Sequence, residues 1–126
     1  MRIIAESSAP SDQAAVLTKA VLRAADILDI KPRQLTSVLG LSEPTLSRMR
    51  RGAYFLEADT KPFELGVLFV RLFRSLDAIV GGDESAARSW LKNPNTALEG
   101  KPAEKIGTIA GLMDVIAYLD ARRALV

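Results

Sequence analysis

Residues 32–52 read PRQLTSVLGLSEPTLSRMRRG, and this stretch decides the fold. Pro32 suits the first turn of a helix, where its missing N–H costs no hydrogen bond. Gly40 offers a left-handed helix end. Ser42 is a side-chain cap for a second helix that carries Pro44 in its first turn. Gly52 ends that helix after Arg50 and Arg51. Two helices joined so tightly make a helix-turn-helix if apolar residues line their crossing. Leu35, Val38 and Leu39 form the inner face of the first helix, and Leu41, Leu46 and Met49 close the seam. Ser42, Glu43, Thr45, Ser47, Arg48 and Arg51 are left pointing outward. Hydroxyls bond phosphates or base edges, and a guanidinium holds a phosphate or the edge of guanine. The expected DNA-contacting set is therefore Ser42, Thr45, Ser47, Arg48 and Arg51. A structural hairpin with a solvated basic face is the other reading of this pattern.

Outward from this pair, helical spacing dominates. Val16, Leu17, Ala20, Val21, Ala24, Ile27 and Leu28 predict a helix capped at Ser11 or Asp12 and ending near Leu28. Residues 1–10 read as frayed. Residues 53–61 are a connection in which Tyr54 and Phe55 read as packing residues. A long, mostly apolar helix is expected from Lys61 to Val80, then a break at Gly81-Gly82 and a helix capped by Asp83. Asn93-Pro94-Asn95 ends that helix. Pro102 is expected to start one last helix running to Arg123. No strand or repeat is evident, so the fold class is all-α.

Composition narrows the function. The 126 residues contain no cysteine and no histidine. This removes thiolate chemistry, the commonest metal ligand and the commonest general base. Asp83 and Glu84 are adjacent carboxylates, but neighbouring helix positions point apart. No catalytic residue, metal site or cofactor is expected. The most apolar run, residues 63–80, contains Glu64, Arg71, Arg74 and Asp77, too many charges for a membrane span. A cytoplasmic protein with no membrane partner is expected. The net charge is +2, with eight Lys and Arg against five Asp and Glu in residues 1–52 and nine against ten in the remainder. The basic excess lies with the helix pair.

The helix pair resembles the helix-turn-helix of Xre-type (Cro/C1-like) regulators. Thr36 departs from that likeness, since such motifs usually carry alanine there, and threonine should crowd the crossing. The tail carries a second likeness. Trp90-Leu91, Asn93-Pro94-Asn95, Ala97-Leu98, Gly100, Pro102, Gly111 and Val115 follow in an order similar to the Xre/MbcA/ParS-type antitoxin toxin-binding domain. Glu99 stands where that family usually has glycine, and Glu104-Lys105-Ile106 weakens its usual leucine pair. The resemblance implies an N-terminal Xre-like helix-turn-helix bundle (residues 1–60) followed by a helical toxin-binding region (residues 61–126). It implies a type II antitoxin whose partner is a RES-domain toxin, NAD-consuming or ADP-ribosylating. The C-terminal region would block the NAD pocket, and the helix-turn-helix would repress the operon by binding operator DNA. A stand-alone Xre-type regulator without a toxin is the alternative.

Residues of the tail sort into two stripes on the last helix. Ile109, Leu112, Met113, Ile116 and Leu119 are expected to face the chain's own core. Gly111, Asp114, Val115, Tyr118 and Arg122 are expected to face a partner, being small, aromatic and charged by turns. The expected toxin-binding set is Trp90, Asn95, Gly111, Asp114, Tyr118, Arg122 and Arg123. Blander roles are open to some of these. Trp90 can anchor the Asn-Pro-Asn loop, and arginines are favoured at any helix C-terminus. The apolar Lys61–Val80 helix exposes more surface than one small bundle covers, so a homodimer is expected. It would present two reading helices to a two-fold operator.

Overall fold

In the computed structural model, which describes residues 9–125, seven helices are present among the described residues and no strand. Residues 1–8, most of the stretch expected to be frayed, lie outside the described range.

The Ser11 hydroxyl accepts from the Ala14 N–H (3.0 Å) and opens α1, Asp12–Leu28. Pro32 starts α2, Pro32–Leu39, which ends at Gly40 with φ +71°. The Ser42 hydroxyl accepts from the Thr45 N–H and opens α3, Glu43–Arg50. Thr60 caps α4, Lys61–Ile79, and Asp83 caps α5, Glu84–Lys92. Apart from α2, whose start has no side-chain cap, these starts follow one physical rule, since a short side-chain oxygen satisfies an amide that the helix leaves unpaired.

The expected single helix from Pro102 is two. A four-residue helix α6, Pro102–Lys105, is followed by α7, Ile109–Arg123. Thr108 has an extended backbone, and its hydroxyl accepts from the Gly111 N–H (3.0 Å), so it starts a new helix and does not continue the old one. The break also changes which face of α7 is buried. Leu112, Val115, Ile116 and Leu119 are buried, while Ile109 is 57% and Met113 43% exposed. Gly111 and Val115, expected outside, lie inside. A Cβ on Gly111 would stand 1.8 Å from the Lys105 carbonyl oxygen, so only glycine lets the first turn of α7 fold back on α6.

The long helix α4 organises the core. It packs against α1 and α2 on one part of its circumference and against α7 on another. Phe69, Leu72 and Leu76 are fully buried among Leu28, Leu35, Leu39, Leu91, Leu112 and Ile116. The connection after α3 is pinned by a buried hydrogen bond in which the Leu56 N–H donates to the Thr18 hydroxyl (2.9 Å). Polar links join the two halves of the chain as well. Arg88 on α5 donates to the Ile27 carbonyl (2.9 Å) at the end of α1. Asp120 on α7 pairs with Arg71 and accepts from the Ser75 hydroxyl (3.0 Å), both on α4.

Candidate functional site

The helix pair α2–α3 has its seam closed by Leu35, Val38, Leu39, Leu46 and Met49, all buried, while Leu41 is half-buried. Thr36 is accommodated at the crossing. It is 8% exposed, and its hydroxyl turns back to donate to the Arg33 carbonyl (2.7 Å). Ser42, Ser47, Arg48 and Arg51 are exposed, and Thr45 is half-buried. They form short local chains. The Ser42 hydroxyl donates to Thr45 Oγ1 (2.9 Å), Arg48 donates to the same oxygen (3.2 Å), and Arg51 donates to Ser47 Oγ (2.8 Å). Both arginines are thereby held along one side of α3. Hydrogen bonds between exposed groups exchange readily with other acceptors. Arg50 is occupied differently, by an ion pair with Asp26 (3.1 Å).

Four of the seven residues singled out in the tail meet at one place. The Trp90 and Tyr118 rings stack with centroids 6.1 Å apart and planes inclined at 22°. The Arg122 guanidinium lies 5.8 Å from the centre of the Tyr118 ring and donates to its hydroxyl (2.9 Å). Asn95 works in two directions. Its side-chain oxygen accepts from the Leu98 N–H (3.0 Å), shaping the loop. Its amide also bears on the Tyr118 hydroxyl. Asn95, and after it Arg122, lower the Tyr118 pKa below the ordinary phenol value. Trp90, Asn95 and Tyr118 are half-buried and Arg122 is exposed, so the patch is ordered yet reachable. Asp114 is exposed one turn before Tyr118 on the same helix. Gly111 is buried and offers no surface. Arg123 turns the other way, toward Ser75 on α4 (3.5 Å).

Two further features were not legible in the sequence. Asp29 lies between two lysines 63 residues and two residues away in the chain, Lys92 at 2.6 Å and Lys31 at 3.1 Å. Lys92, then Lys31, hold its carboxyl at about 2, against an ordinary 3.8. On another side of the molecule, α1 and α4 leave an apolar groove of about 430 Å³ between Val16, Leu17, Phe63, Val67 and Val70. Val16 is 69% and Val67 45% exposed. Arg71, Arg74 and Arg123 also line this groove.

Among family models, residues 8–71 match the antitoxin Xre-like helix-turn-helix domain. Residues 75–124 match the antitoxin Xre/MbcA/ParS C-terminal toxin-binding domain. The chain belongs to the Xre/MbcA/ParS-type antitoxins. No curated protein matches this antitoxin closely enough to count as a relative. The Trp90–Tyr118 patch falls inside its toxin-binding domain, and α2–α3 inside its helix-turn-helix domain. No helix among the described residues is long and apolar enough to cross a membrane. No cluster of three or more potential metal ligands occurs among them either.

Proposed function

We propose that this antitoxin neutralises a RES-domain toxin, NAD-consuming or ADP-ribosylating, by covering its NAD pocket with the C-terminal region. Its helix-turn-helix represses its own operon, and it acts in the cytoplasm as a homodimer without catalysing a reaction. The observation that carries this reading is the convergence of Trp90, Asn95, Tyr118 and Arg122 on one patch. They come from a helix, a loop and a second helix, yet form a stacked aromatic pair edged by a guanidinium. Tyrosine, tryptophan and arginine are the side chains that most often dominate binding energy at protein interfaces. Arg122 adds a cation suited to acidic or phosphate-binding groups in a cleft. On the DNA side, Ser42, Thr45, Ser47, Arg48 and Arg51 supply the contacts, with the arginines carrying the electrostatic part.

Co-expression with the product of the neighbouring gene tests the proposal. A stable complex and rescue of growth are expected. Absence of any complex would leave a stand-alone regulator as the better reading.

A further inference from the structure

We propose that the toxin-binding domain contributes directly to the DNA footprint, with Lys92 and Lys101 joining Lys31 to hold the phosphate backbone beside the groove that α3 enters. The proposal rests on the DNA-binding reading of α3. In a helix-turn-helix the first helix crosses the backbone while the second enters the major groove. Pro32, at the start of α2, shares a surface depression with Glu43, Ser47 and Arg50 of α3. A second depression joins Lys31 and Gln34, from the same end of α2, to Lys92 and Lys101 from the C-terminal half. Lys31 at the start of α2 is thus joined by two lysines more than 50 positions away in the chain.

Charge count and exposure favour an anionic partner here. Lys31, Lys92 and Lys101 face only two carboxylates in this depression, Asp29 and Glu104. The Lys31 and Lys92 side chains are 66% and 50% exposed. Each ammonium has three donors, and each uses one on Asp29. The remaining donors are left for other acceptors, such as a phosphate oxygen. A clamping role alone explains the arrangement poorly, because ion pairs this exposed contribute little to stability. Asp29 moderates the surplus charge, and two cations depress its pKa.

The test uses the full chain and a labelled mixed-sequence duplex of about 30 base pairs, since phosphate contacts do not depend on sequence. Lys92→Gln/Lys101→Gln should weaken binding about tenfold near 100 mM salt and reduce the slope of log K against log salt by about two, or 0.9 per lost contact. Asp29→Asn should tighten binding, and asparagine tolerates the left-handed backbone of residue 29 (φ 56°). An unchanged slope in the double variant would overturn the proposal. So would Lys92→Gln and Asp29→Asn both lowering Tm with no change in slope, the signature of a purely structural clamp. Arg48→Ala/Arg51→Ala separates the two levels. If that pair also leaves the slope unchanged, the DNA-binding reading itself fails. If it flattens the slope while the lysine variant does not, only the extended footprint fails.

Discussion

Glu99 holds a left-handed backbone, φ 58°, at the turn between the Asn-Pro-Asn loop and α6. This conformation gives a physical reason for the glycine usual at that place in the family. It costs a non-glycine residue roughly 1–2 kcal/mol, while glycine's extra freedom in the unfolded chain offsets roughly 0.5–1 kcal/mol of any gain. Glu99→Gly should therefore raise stability by about 0.5–1 kcal/mol, read by urea denaturation. A second residue adds a small acid sensitivity, small because its ion pairs are exposed. The folded pKa of Asp29 lies below its unfolded value, at about 2 against 3.8. Its contribution is complete above 3.8 and is lost as pH falls from there toward 2. Tm measured across that interval should fall less steeply for Asp29→Asn than for the parent, and added salt should shrink the difference. The Asp29 cluster could not be read from the chain, because Lys92 reaches it only through the packing of α5 on α1.

At the scale of elements, helix starts were legible wherever a cap announced them. Ser11, Ser42 and Asp83 begin α1, α3 and α5 as expected, and Gly40 ends α2 at a positive φ. The sequence suggests one last helix where there are two, because Pro102 is so strong a start signal. Thr108, three residues before Gly111, is the second cap. With the helix starting seven residues later, packing against α6 decides which face is buried, and periodicity alone does not contain that contact. The same effect explains the swap of Gly111 and Val115 for Ile109 and Met113. Gly111→Ala should cost about 2–3 kcal/mol, since the added methyl meets backbone and the turn must shift. Circular dichroism melting checks this, and a Tm equal to that of the parent would mean that α6 and α7 can separate freely. The aromatic patch was partly legible. Its residues were chosen from the sequence, but their meeting depends on α5, the loop and α7 docking together.

At the scale of the molecule, two families of surface stand out. One is polar and belongs to α2–α3 with its lysine flank. The other is aromatic and belongs to α5–α7. The apolar groove of α1 and α4 is a third, and it fits the proposed pairing of two copies. Crossing two α4 helices antiparallel about Val67 sets opposite each other positions whose numbers sum to about 134, so Phe63 and Glu64 of one copy come near Val70 and Arg71 of the other. The chain has no cysteine, so Val67→Cys provides a clean report. Under mild oxidation it should form a disulfide-linked dimer, while a cysteine at exposed Arg23 should not. Val67→Asp should shift the protein toward monomer in sedimentation equilibrium, without loss of helicity.

The central claim is that this antitoxin acts by occupying its partner through the Trp90–Tyr118 patch. It is tested most directly by following NAD loss catalysed by the RES-domain toxin proposed as the partner during titration with antitoxin. The parent chain should stop NAD loss at a fixed stoichiometric ratio. Tyr118→Ala/Arg122→Glu, with parental helicity and DNA binding, should leave it running at the same ratio. Complete inhibition by that variant at the parental ratio would contradict the claim.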